Sequence, residues 1–167
     1  MIDPAYVRLM ARYNRWQNRN LYEAAETLDA AARRLDRGAF FRSIHGTLSH
    51  LAWADAGWLH RFDGTPKPAG VIPDSADAHP DWEALKATRA ALDVAILDWA
   101  GRVTRDWLDE DMRWRSSSGR DMAAPRGPTV VHFFNHQTHH RGQVHAMLTA
   151  AGAKPGDTDL VLMPTEA

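Results

Sequence analysis

Three histidines fall within five positions of the stretch FFNHQTHHRGQ, residues 133–143. Imidazole offers a neutral lone pair near neutral pH, so histidines this close raise the question of a metal ion. On a helix, His136 and His140 stand four residues apart and stack one above the other, as the two histidines of a helical zinc motif do. With His136 at zero on a helical wheel, His140 falls at about 40°, and Phe133, Val144, Met147 and Leu148 lie between about 20° and 120°. Both histidines therefore point with the apolar arc. His132 and His139 lie on its flank, and His145 turns to the opposite, solvent side. Two ligands on one helix are too few for an ion. The competing reading is a pair of core histidines with hydrogen-bonded nitrogens, and a third inward ligand would decide between the two.

A second stretch, SIHGTLSHLAWADAGWLHRF, offers His45, His50 and His60. With His50 at zero, Ala54 and Trp58 lie at about 40° and 80°, and Ile44 and Phe62 at about 120°. His50 thus borders the apolar arc, in a lane of small residues formed by Ser43, Gly46 and Gly57. Such a lane admits a neighbouring helix closely, which a ligand bridging two helices requires. His45 and His60 turn further from the arc and rank below His50.

Other residues here could do chemistry. Asp55 falls inside the apolar arc, where a bare carboxylate is costly; it either orients a histidine or forms an ion pair within the bundle, with an arginine such as Arg141. Gln143 and Asn135 are candidates for hydrogen bonds to the histidines or between helices, and Tyr13, Asn14, Trp16 and Asn18 for helix packing. A Ser-His-Asp set can be drawn from Ser43 or Ser49 with His50 and Asp55, but the serines lie inside a helix and no Gly-x-Ser-x-Gly elbow occurs. SSSGR, residues 116–120, has the composition of an anion-binding turn and equally of a plain solvated one. No Gly-rich phosphate-binding loop is present.

The periodicity predicts four helices to carry these residues: Pro4 to about Thr27, Gly38 to Phe62, Pro80 to Val103, and Thr129 to Ala151 with Gly152 as its stop. Phe40, Ile44, Leu48, Leu51, Trp58 and Phe62 set the core face of the second. Between the second and third, DGTPKPAGVIPDSADAHP holds four prolines and two glycines and reads as a long loop. MRWRSSSGRDM reads as two short strands around a Ser-Gly turn. The tail from Ala153 reads as extended. The economical architecture is an all-α four-helix bundle over residues 1–167 as one domain.

Composition narrows the function. Lysine and arginine number 20 against 21 acids, in no long block, which argues against nucleic acid as a partner. No apolar run is long enough for a membrane span and the amino terminus lacks signal-peptide order, so a cytoplasmic protein is expected. There is no cysteine, which removes disulfides, cysteine nucleophiles and thiolate metal sites together. Any metal falls to histidine or carboxylate.

YNRWQNRNLYEAA, SIHGTLSHLAWADAGWLHRF and VVHFFNHQTHHRGQVHAMLTAAG, in that order, resemble the DinB/YfiT-like family of metal-binding four-helix bundles over nearly the whole chain. The resemblance implies an up-down-down-up bundle, commonly a homodimer, with a three-histidine site of His50, His136 and His140. Those are the residues that the wheels single out. Three neutral imidazoles leave open coordination positions and suit zinc or nickel, with iron, cobalt or manganese as further choices. The resemblance extends to relatives that transfer a low-molecular-weight thiol to an electrophile. A metal-dependent hydrolase and a non-enzymatic, stress-associated metal-binding bundle are the alternatives. A cleft at the open metal position, as against a site sealed by side chains, would separate turnover from storage.

Overall fold

The computed structural model describes residues 1–116 and 119–165. Helix α1, Pro4–Glu26, starts where Asp3 accepts a hydrogen bond from the Tyr6 N–H at 2.8 Å and Pro4 supplies a preset first turn. A one-turn helix α2, Ala30–Arg34, follows. Helix α3, Ile44–Asp63, is capped by Ser43, whose Oγ accepts from the Gly46 N–H at 3.0 Å, and it ends at Gly64 in the left-handed region. Helix α4, Trp82–Arg102, is capped by Asp81. Next come short α5, Arg105–Asp109, and the antiparallel strands β1, Asp111–Arg115, and β2, Asp121–Pro125, with Trp114 opposite Met122. Helix α6, Arg126–Ala150, closes the bundle, with Gly152 at φ 84° just beyond it.

Two apolar layers fix the topology. In one, Val7 early in α1 meets Leu59 and Phe62 late in α3, Ile96 and Trp99 late in α4, and Val130 and Phe133 early in α6. In the other, Leu21 and Tyr22 late in α1 meet Ile44 and Leu48, Leu85, and Val144 and Leu148. Helix α1 therefore runs with α6 and against α3 and α4: up, down, down, up, as expected. The parallel pair α3 and α4 needs the long connection, residues 64–81, to return the chain along the bundle.

Three expectations about the elements change. The second long helix begins at Ile44, because Arg42 takes φ 65° and a tight turn closes from the Arg42 N–H to the Ala39 carbonyl at 2.7 Å. The helical phase does not extend back to Phe40, which is 79% exposed, while Phe41 is buried. The connection after α3 is not featureless, since it holds a 3-10 turn at Ile72–Asp77. The tail contains a 3-10 turn, Leu160–Leu162, and is tied to α1 by the Tyr13 hydroxyl and the Gln17 amide donating to the carbonyls of Thr158 and Asp157, at 2.6 and 2.9 Å. The predicted hairpin forms, although Ser117 and Ser118 of the SSSGR turn lie outside the described residues. Among the described residues, no helix is long and apolar enough to cross a membrane.

Between the apolar layers lies a buried polar one. Arg89 on α4 pairs with Asp55 on α3 at 2.6 Å and with Asp93 on its own helix at 3.1 Å. The Asn18 amide donates to Asp93 at 2.8 Å, and the Arg141 guanidinium donates to the Asn14 side chain. Burial pushes the Asp55 carboxyl up against the pull of Arg89, and it works against the Arg89 cation too, but Asp93 and Asp55 outweigh it and hold that arginine charged. Burial also lowers Arg141, to about 10. The wheel placed Asp55 correctly. Its direct partner is Arg89, not Arg141 and not a histidine.

Candidate metal centre

His50 on α3 and His136 and His140 on α6 come together, one ring nitrogen from each lying within 4.8 Å of the others. The Nε2 atoms of His50 and His136 are 3.3 Å apart, and the His140 ring lies 4.7 Å from His50 and 4.5 Å from His136 between centroids. His50 and His140 are buried, whereas His136 is half-buried.

Outer partners set which nitrogen of each ring is free. The Ser75 hydroxyl donates to the Ile72 carbonyl at 2.6 Å, so toward His50 Nδ1, 2.8 Å away, it can only accept. His50 therefore carries its proton on Nδ1 and presents Nε2 as a lone pair. His140 Nδ1 likewise faces Gln143 Oε1 at 2.8 Å, which leaves its Nε2 free. Burial is the largest cause that lowers all three imidazoles. Neighbouring histidines add to it, taking His50 to about 3 and His136 to about 4, while the Gln143 contact opposes the shift at His140. All three are neutral at pH 7. His50 and His140 present Nε2 lone pairs, no carboxylate is among the hydrogen-bond partners of the three rings, and His136 Nε2, 3.3 Å from that of His50, completes a three-nitrogen set when it is unprotonated. The donor set thus fits a divalent metal.

Phe41 covers one side of the cluster. Its ring stacks on His50 with 3.7 Å between centroids and 19° between planes, and it lies 5.4 Å from His140. The turn that starts α3 aims it there. An added methyl at Gly46 would sit 2.5 Å from the Phe41 carbonyl oxygen and 3.5 Å from Ala76. The lane of small residues expected to admit a neighbouring helix thus admits the chain's own connection instead. Ser49 pins that connection, donating to the Ser75 carbonyl at 2.9 Å and accepting from the His79 N–H at 3.1 Å, and the Trp53 indole N–H donates to the Ala69 carbonyl at 2.6 Å.

On its other side the cluster opens. His50 and His136 form part of the wall of a cleft of about 790 Å³, between α3, the connection and β1. His132, exposed on the flank as expected, also lines it, 5.3 Å from the Trp58 ring.

The remaining candidates fall elsewhere. His45 is buried at the far edge of α3, its Nε2 2.7 Å from the His79 carbonyl, and His60 Nδ1 lies 2.6 Å from the Thr65 carbonyl. His139 is exposed, and Asn135 is exposed too. His145 is half-buried in a groove beside Tyr13 rather than fully solvated. The Ser-His-Asp set does not assemble: Ser43 caps α3, Ser49 holds the connection and Asp55 belongs to Arg89. Sequence reasoning missed Ser75 and Phe41. No periodicity marks a lone serine in a loop, and the choice between two adjacent phenylalanines depends on where the helix begins.

The comparisons agree with this architecture. Protein DinB of Bacillus subtilis (strain 168) is 26% identical over 157 residues, which cover 88% of this chain and 87% of that protein. No solved structure gives a significant match. The DinB family model matches residues 1–167, and the chain belongs to the DinB family.

Proposed function

We propose that this protein is a divalent-metal-dependent enzyme of the thiol S-transferase type, with the ion held by Nε2 of His50, His136 and His140. The observation that carries the reading is the convergence of three neutral imidazoles, two of which, His50 and His136, form part of the wall of an open cleft. A sealed cluster would favour the storage alternative. Zinc or nickel suits an all-imidazole set best, ahead of iron, cobalt and manganese.

When bound, such an ion supplies undiminished positive charge and open positions that lower the pKa of a thiol or a water toward neutrality. The chain does the rest. Ser75 and Gln143 hold two imidazoles in the ligating tautomer. Phe41 keeps water from one face. The cleft seats the electrophile, and His132, exposed on its wall beside His136, is the side chain we assign to take the released proton. Transfer forms a carbon–sulfur bond and expels a leaving group such as halide. Thiol transfer ranks above hydrolysis because the chain has no cysteine thiolate of its own and leaves that soft donor to be brought by the substrate. The reading includes a cytoplasmic homodimer, which light scattering would test.

Metal content after dialysis, measured by mass spectrometry, should approach one ion per chain. His50→Ala, His136→Ala and His140→Ala should abolish it, and His45→Ala, His139→Ala and His145→Ala should retain it. Cobalt-substituted protein titrated with bacillithiol, mycothiol and glutathione should develop an intense near-ultraviolet charge-transfer band with one of them, and the same thiol should be conjugated to a halogenated electrophile. Hydrolysis without such a band would move the assignment to a hydrolase; neither activity would leave the metal-binding bundle.

A further inference from the structure

The cleft beside the histidines has a wall chemistry of its own. Helix α3 contributes Trp58 and Arg61, the connection Lys67, and strand β1 Arg113, Trp114 and Arg115, while no aspartate or glutamate among the described residues lines it. Outside the cleft four of the remaining cations meet carboxylates: Arg89 with Asp55, Arg102 with Asp63, Arg126 with Glu110, and Lys86 with Glu26 and Glu83. The four in the cleft do not. Arg61 donates to the Gly57 carbonyl at 3.1 Å and lies 4.7 Å over the Trp58 ring; Arg115 Nε donates to the Gly119 carbonyl at 2.9 Å. Lys67 and Arg113 make no hydrogen bond or ion pair among the described residues.

The chain as a whole carries a net charge of −1, so the excess of cations over acids at this cleft is local. Unneutralised cations concentrated around a concave, partly apolar surface raise the local concentration of anions. Arg61 is the informative member. It is half-buried against an indole, and desolvation lowers its pKa, so the fold bears the cost of a cation without an anion beside it. The Trp58 and Trp114 rings, 5.9 Å apart and edge to face, offer flat apolar surface next to that charge.

We propose that this cleft binds a small organic anion, its planar apolar body against Trp58 and Trp114 and its carboxylate, sulfonate or phosphate on Arg61, with Lys67, Arg113 and Arg115 at the rim. The role of that anion as substrate rests on the metal-enzyme reading; the binding itself does not. An ion at the histidines would add to the same positive field.

The test compares two probes of equal shape, naphthalene-2-sulfonate and the neutral 2-naphthalenemethanol, titrated by quenching of tryptophan emission and by calorimetry. It is run on chelator-treated and on metal-reconstituted protein. The sulfonate should bind at least about tenfold more tightly than the alcohol in both forms, with a preference that falls as salt rises. Arg61→Gln should remove most of that preference while changing alcohol binding by less than about twofold, and Arg61→Lys should keep part of it. The exposed pair Arg113→Gln and Arg115→Gln gives a second readout that does not disturb packing, and Arg8→Gln, outside the cleft, should change nothing. Equal affinity for the two probes would overturn the proposal, as would equal weakening by Arg8→Gln and Arg61→Gln. Loss of metal binding with the anion preference intact would fail the metal reading and leave this one standing.

Discussion

The Arg89 layer and the histidine cluster are both polar groups set inside an apolar bundle, and they are built on opposite plans. In the first, two arginines and two aspartates face one another with asparagines between them, so that charge is balanced within the layer and Asp55 and Arg89 lie almost wholly out of water. In the second, three ring nitrogens converge, the outer nitrogens of two rings are held by Ser75 and Gln143, and no carboxylate is among the hydrogen-bond partners. One layer balances its charge as folded and joins helices. The other brings three neutral imidazoles together in a donor set that fits a cation, and borders a cleft. Burial of polar groups alone therefore does not mark a functional site; polar groups that share the same sign and a common focus do.

Breaking the balanced layer should have the largest effect. Arg89→Met leaves Asp55 and Asp93 buried without their cation, and urea unfolding should show a loss of about 3–5 kcal/mol. A loss below 1 kcal/mol would mean that the layer relaxes into water and is not the structural element described here. By contrast, His136→Ala should cost metal-free protein much less than Arg89→Met, because it removes a half-buried neutral ring and leaves no buried charge without a partner.

Next in size is Gly46→Ala. Its methyl would meet the Phe41 carbonyl oxygen at 2.5 Å, a backbone contact that has to give. Thermal unfolding should report about 1–3 kcal/mol of destabilisation, together with weaker metal binding as Phe41 and the Ser75 turn shift. Unchanged stability and affinity would show that the turn adapts freely.

Ser75→Ala sharpens the comparison at the site. It removes the acceptor that fixes the His50 tautomer, and competition against a chelating dye should show affinity reduced about 10- to 100-fold with little change in melting temperature. Gln143→Leu should act in the same direction through His140. If neither changes affinity, the histidines are positioned by packing on Phe41 alone.

The last prediction uses pH. His50 and His136 sit near 3 and 4 when folded, below the ordinary 6.5 they regain on unfolding. The unfolded chain thus binds more protons in that window, so stability of metal-free protein is fully present above about pH 6.5 and declines as pH falls toward 4. Bound metal should be released over the same range, since protons compete for Nε2. A His50→Ala/His136→Ala double variant should show a flatter decline between pH 6.5 and 4. An unchanged slope would assign the acid sensitivity to other groups.

Much of this was legible beforehand because it depends on phase. His136 and His140 share a helical face by spacing alone, Gly152 stops α6 through its backbone freedom, and the four long helices follow from apolar periodicity. The placement of Asp55 and His50 toward the interior belongs to the same class. What lacked a local signal was which side chains meet across helices. Asp55 had several arginines available by composition, and only the packing of α4 against α3 selects Arg89. Arg89 and Asp93 themselves interrupt the apolar face of α4 and gave no hint of being buried. Phe41 rather than Phe40 is the buried one because a left-handed residue at Arg42 ends the helical phase at Ile44. Ser75 reaches His50 across 25 positions of chain, carried there by a connection whose course is set by Ser49 and Trp53. Periodicity is a property of one segment and can be read from it; a hydrogen bond, an ion pair or a cleft depends on the separation of two segments, and only the folded chain brings them together.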